Sequence, residues 1–174
     1  TPLADAETMG DALTTDLGKS IAELREMSDM DLYNAATEAG GSYYGLCVDG
    51  YVIDRTQNEI LESGDILDID YMIGSNQDEF GGMFASGVSL LGDTQIANGR
   101  KPVYCYLFTH FMPGVDDPES TCYGAFHTAE CWYIFKTLDR CWRQPLFTDA
   151  DYKLADMMCD YWTNFAKTGD PNGD

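Results

Sequence analysis

Two short segments hold the residue types that move protons. The first, Gly74-Ser75-Asn76-Gln77-Asp78-Glu79-Phe80, carries two adjacent carboxylates. Neighbouring side chains point in different directions, so Asp78 and Glu79 can do different jobs. The second, Gly124-Ala125-Phe126-His127-Thr128-Ala129-Glu130, sets an imidazole in a glycine-containing stretch with a carboxylate three residues on. Imidazole titrates near neutral pH, and a carboxylate that orients the ring makes it a directed base. That spacing suits an exposed His127 oriented by Glu130. Each segment also has a plainer reading: a polar turn after a strand for the first, a histidine packed beside the core for the second. The other histidine, His110, ends an apolar run and reads as structural.

The flanking patterns predict the elements that carry these segments. Leu3, Ala6, Met9, Leu13 and Leu17 recur at helical spacing, with Gly18 as the stop. Ser20 with Glu23 forms a capping box, and Ser28 with Asp31 opens a helix that Gly40-Gly41 ends, so residues 1–41 read as helical. Asp49-Gly50 is a turn before Tyr51-Val52-Ile53, and Thr56 with Glu59 caps a short helix ending near Gly64. Residues 66–73 are rich in strand formers, closed by Gly74, which puts the first segment just past the end of a strand. The nearly unbroken run from Val103 to Phe111 predicts a second strand covered on both faces. A loop with Pro113, Gly114, Pro118 and Gly124 leads to a helix over 129–138. Thr148 with Asp151 opens a last helix, whose Leu154, Met158, Tyr161, Trp162 and Phe165 form one wide apolar face before Gly169 and Pro171. Alternating helices and strands define an α/β pattern, with a sheet that looks incomplete.

Composition bounds what this scaffold can do. The chain has 174 residues, 44% apolar and 13% aromatic, enough for a buried core in one domain. Lys plus Arg number 10 against 30 Asp plus Glu, a formal charge of −20 that repels phosphate backbones and argues against nucleic-acid binding. No apolar run is long enough for a membrane span, and Thr1-Pro2-Leu3-Ala4-Asp5 has neither the basic nor the apolar stretch of a signal peptide. The six cysteines form no C-x-x-C pair, so zinc is not expected and free thiols are, with Cys105 and Cys159 as small buried hydrophobes. Asp170-Pro171-Asn172-Gly173-Asp174 lacks the length of a calcium loop and reads as a turn after the helix. No Gly-rich phosphate loop is present, so no nucleotide is implied, and no cofactor is expected.

An acid after one strand and a histidine after a later one is the chain order of the α/β-hydrolase triad: nucleophile, acid, histidine. With their flanks, the two segments resemble the C-terminal part of a type-B carboxylesterase, the family of cholinesterases and para-nitrobenzyl esterases. Val48-Asp49-Gly50-Tyr51-Val52-Ile53 resembles the D-G segment before the acid, and Ile73 to Glu79 resembles the G-x-N-x-D-E motif. Val103-Tyr104-Cys105-Tyr106-Leu107-Phe108 resembles the strand before the histidine loop, and Gly124 to Glu130 the G-x-x-H-x-x-E motif. Met157-Met158-Cys159-Asp160-Tyr161-Trp162-Thr163-Asn164-Phe165-Ala166-Lys167-Thr168-Gly169-Asp170-Pro171-Asn172-Gly173 is nearly a family signature. The resemblance implies an α/β fold that is the C-terminal portion of an α/β-hydrolase, with an incomplete sheet and packed helices. It puts the triad acid on Glu79 and the base on His127, with Glu130 and Asp78 in support. It implies a small carboxylic ester as substrate and no metal.

Two departures qualify the likeness. No G-x-S-x-G elbow exists: Gly87-Val88-Ser89-Leu90-Leu91-Gly92 and Gly40-Gly41-Ser42-Tyr43-Tyr44-Gly45 both have the wrong spacing. The resemblance therefore puts the nucleophile in an N-terminal half preceding Thr1, with this chain inactive alone. Glu79 and His127 are 48 residues apart, where the family spends a longer helical stretch. Two functions remain open: an esterase part supplying acid and base, or a non-catalytic esterase-like binding or scaffold module. Retention of Glu79 and His127 in full motif context favours the first.

Overall fold

A computed structural model describes residues 1–40, 45–142 and 146–173. Gly41 to Tyr44, on which the second rejected elbow and part of a helix stop fall, lie outside the described residues, as does Asp174. The chain divides into two compact units, Thr1–Ile60 and Leu61–Asp174.

The first unit is helical. α1 (Leu3–Leu17) ends at Gly18, whose φ of 60° gives the left-handed cap that glycine adopts without strain. α2 (Ile21–Arg25) begins with the Ser20–Glu23 capping box, and Ser28 caps α3 (Asp29–Glu38) by accepting from Asp31 N–H. Asp49 closes its turn by accepting the amides of Tyr51, Val52 and Ile53 on one oxygen, at 2.9–3.0 Å. Those bonds hold its carboxyl below the usual range. α4 (Gln57–Ser63) runs across the boundary between the units.

The second unit carries the two site segments on a parallel pair of strands, β1 (Tyr71–Asn76) and β2 (Val103–Phe108), in register from Tyr71↔Val103 to Asn76↔Phe108. α5 (Ala85–Ala97) connects them. On one face, Cys105 Sγ lies 3.9 Å from the Val88 carbonyl of α5. On the other, Tyr104 and Tyr106 meet Phe165 and Trp162 edge-on at 6.2 and 4.9 Å. Those two residues belong to α7 (Asp149–Thr168), which a Thr148–Asp151 capping box opens and Gly169 closes. Helix, sheet and helix thus stack in three layers. α6 (Ala129–Ile134) packs on α7. The core beneath gathers Phe108, Met112, Ala125, Ala129, Tyr133, Leu138 and Met158.

Several elements depart from the sequence expectations. The first strand is not 66–73 but Tyr71–Asn76, and it runs through Gly74 instead of stopping there. The Tyr106 ring lies where a Cβ on Gly74 would be, so the glycine makes room for an aromatic across the sheet. Residues 66–70 are held as a loop: Arg100 Nη1 donates to the Ile66 carbonyl at 2.6 Å, Gln95 to that of Leu67 at 3.2 Å. The second strand stops at Phe108, three residues short of Phe111, and is only half covered, with Leu107 and Cys105 exposed. Cys159 on α7 is half-buried, not fully buried as expected. Cys47, Cys105, Cys131, Cys141 and Cys159 are free thiols. The helix expected over 129–138 ends at Ile134, because Lys136 turns left-handed (φ 51°), and a short 3-10 turn follows at Leu138–Arg140. On α7, Met158 is buried while Tyr161 sits at the rim.

Candidate active site

The site forms where both strands end. Gln77 N–H donates to the Phe108 carbonyl at 2.9 Å, extending the ladder one step past Asn76. The next residue clamps the second segment: Asp78 N–H donates to the Ala125 carbonyl at 3.1 Å, and Ala125 N–H donates back to Asp78 Oδ2 at 2.8 Å. The adjoining residue must be glycine. Gly124 has φ 65°, and any Cβ there would overlap the Asp78 carboxylate. Asp78 thus holds the histidine loop by its backbone.

Glu79 turns the other way, as adjacent side chains should. Its Oε1 accepts the Asn76 N–H at 2.8 Å and its Oε2 lies 2.8 Å from His127 Nδ1. Phe80, Gly81 and Gly82 follow with positive φ of 46°, 69° and 75°, a left-handed stretch that costs energy at the non-glycine Phe80. That turn lays the Phe80 ring against the imidazole, centroids 5.0 Å apart. The Glu79 side chain is 11% exposed and that of His127 60%, so the acid is shielded while the imidazole faces outward. A carboxylate on Nδ1 fixes the proton there and leaves Nε2 as an acceptor.

The histidine's partner is therefore Glu79, 48 residues away, and not Glu130, which the local spacing had suggested. Glu130 instead receives the side-chain amide of Asn76, which also donates to the Phe126 carbonyl at 2.7 Å. Burial, with Glu130, Cys131 and Glu79 nearby, pushes the Tyr106 hydroxyl up to about 12, so it stays protonated.

The sequence reading gave one participant no role. Asn76 sits three residues before Glu79, the spacing at which Ser20, Thr56 and Thr148 receive the carboxylates of Glu23, Glu59 and Asp151 on their N–H groups. That repeated spacing was a usable signal. His110 lies apart from this site: its Nε2 is 2.8 Å from Asp151 Oδ1, which accepts the Tyr133 hydroxyl at 2.9 Å as well. Among the described residues, no group of three His, Cys, Asp or Glu side chains is placed to hold a metal ion, and no helix is long and apolar enough to cross a membrane.

The three-layer arrangement with acid and imidazole at the strand ends is part of an α/β-hydrolase fold. It superposes on a carboxylesterase of Geobacillus stearothermophilus, EST55, with a TM-score of 0.75 at 22% identity, covering 99% of this chain and 47% of that one. Residues 82–174 match the model of the carboxylesterase family, and the chain belongs to that family. The match includes His127 and Glu130; Asp78 and Glu79 lie just ahead of it. Human cocaine esterase is 31% identical over 120 residues, 64% of this chain and 21% of its own length. Human neuroligin-2 is 37% identical over 86 residues, 44% of this chain and 9% of its own. The chain thus spans about a fifth or less of these relatives and just under half of the Geobacillus enzyme.

Proposed function

We propose that this chain supplies the acid and the general base of a serine carboxylic ester hydrolase. The nucleophile lies on polypeptide outside residues 1–174, in the N-terminal half of the same protein. The observation that supports this reading is the 2.8 Å contact between Glu79 Oε2 and His127 Nδ1, with the imidazole open to the outside. In the reaction, His127 Nε2 takes the proton of a serine hydroxyl as its oxygen attacks the ester carbonyl. The tetrahedral intermediate collapses, and His127 gives that proton to the departing alkoxide. Water then repeats the sequence on the acyl-enzyme, releasing the acid and restoring the serine. Glu79 stays ionised throughout and balances the imidazolium. Asp78 and Glu130 support the geometry without touching the substrate. The substrate class is a small carboxylic ester; neither cofactor nor metal takes part.

The test is hydrolysis of para-nitrophenyl acetate. The full-length protein containing this chain should turn the ester over. The 174-residue chain alone should release para-nitrophenolate no faster than free imidazole does, because general-base help acts only on a positioned nucleophile. A full-length protein that binds esters without hydrolysing them would replace this reading with that of a non-catalytic esterase-like module.

A further inference from the structure

Asn76 closes β1 with only 1% of its surface exposed, and it is hydrogen-bonded to both halves of the site. Its backbone N–H donates to Glu79 Oε1. Its side-chain nitrogen donates to Glu130 Oε2 and to the carbonyl of Phe126, the residue directly before His127. A carbonyl and a carboxylate only accept, so the amide must turn its NH2 toward them, and its orientation is fixed. Glu79 is left with Oε2 for His127. Asn76 therefore steadies the acid on one side and brackets the base on the other, fore and aft, without reaching the imidazole.

We infer that Asn76 is a positioning residue that sets the contact between Glu79 and His127, and with it the tautomer that leaves Nε2 free to accept. Its catalytic meaning rests on the esterase reading; its effect on the imidazole does not. The two donors of the amide meet two acceptors, and the site segments are also joined through Asp78 and Ala125 and through the Glu79–His127 contact itself. Without the amide, Glu130 loses its buried donor, and the stretch from Phe126 to Glu130 loses its tie to β1. The backbone clamp at Ala125 stays, so the loop remains attached while the ring is free to drift. A displacement of the order of 1 Å at a reacting group costs about a hundredfold in rate.

The experiment uses the full-length protein, with the signals of the chain's two histidines assigned by their loss in His127→Ala and His110→Ala. With histidine labelled by ¹⁵N, the Nδ1–H proton of His127 should give a protected, downfield resonance. The His110 Nε2–H, bonded to Asp151, serves as a reporter of the fold. In Asn76→Leu the His127 signal should fall at least tenfold while that of His110 persists. Asn76→Ser, which keeps the backbone bond to Glu79, should behave likewise and stands in should the leucine variant not fold. Glu130→Gln still offers an acceptor to the amide and should retain the His127 signal. In the full-length protein, Asn76→Leu should lower kcat about a hundredfold with KM within twofold. An unchanged His127 resonance in both Asn76 variants overturns the inference, as does loss of the His110 signal in both, which would make the residue merely structural. A full-length protein without turnover, whose His127 resonance still responds to Asn76→Leu, sinks the esterase reading and leaves the inference standing.

Discussion

In the full-length protein, His127→Ala is expected to lower kcat/KM for para-nitrophenyl acetate by roughly 10⁶-fold, and Glu79→Gln by roughly 10⁴-fold. The inequality follows from the site. Alanine removes the imidazole proposed to take the serine proton, so what remains is binding and whatever donors face the oxyanion. Glutamine is nearly isosteric with Glu79 and still faces His127 Nδ1 from 11% exposed surroundings, but it carries no charge to balance the imidazolium. The base is then present but mis-tautomerised, and the loss is large without being complete. The two effects should not add, because acid and base act through one proton transfer. Steady-state kinetics on the two variants and the double variant check this. A Glu79→Gln loss as large as that of His127→Ala would mean that the carboxylate does more than orient the ring and balance the imidazolium.

The second large effect is on stability and lies away from the reacting atoms. Burial alone would raise the carboxyl of Asp151, but hydrogen bonds from Thr148 N–H and hydroxyl, from His110 and from Tyr133 outweigh it and hold it at about 2. Its ordinary value is near 3.8, so the folded state binds the proton more weakly than the unfolded chain. The stabilisation is thus fully present above pH ~4 and is lost as pH falls through the folded value near 2. It amounts to about 2 kcal/mol. Asp151→Ala removes the α7 cap and the carboxylate that accepts the hydroxyl of the buried Tyr133. We expect a loss of about 3 kcal/mol at pH 7, shrinking toward pH 2, measured by urea unfolding across pH. A pH-independent loss would show that the carboxylate's charge is not what the network uses.

What the sequence made legible was mostly local. The capping boxes at Ser20 and Thr148, the glycine stops at Gly18 and Gly169, and the apolar stripe of α7 all depend on residues a few positions apart, so their spacing carries the geometry. The meeting of Glu79 and His127, 2.8 Å apart, was legible only through motif context, since each sits in a run of residues that resembles a family motif. What was not legible depends on partners far along the chain. The first strand was misplaced because Gly74 looks like a terminator until Tyr106 is seen lying over it from the next strand. Glu130 looked like the partner of His127 at three residues' distance, whereas the structure pairs it with Asn76, 54 residues away. His110 read as structural, but its partner Asp151, 41 residues on, was not legible. The exposure of Leu107 and Cys105 on β2 depends on how far the packed helices reach, which no local pattern reveals.

The central claim, that Glu79 and His127 serve a serine carried elsewhere in the same protein, is tested most directly by locating the acyl group. The full-length protein is mixed with para-nitrophenyl acetate, quenched in acid within the first turnover, digested and read by mass spectrometry. The account predicts one acetyl group per protein on a serine outside residues 1–174, and no acetyl accumulating there in His127→Ala. Acetyl on Ser75 or Ser86 of this chain, or undiminished acetylation in His127→Ala, would contradict it.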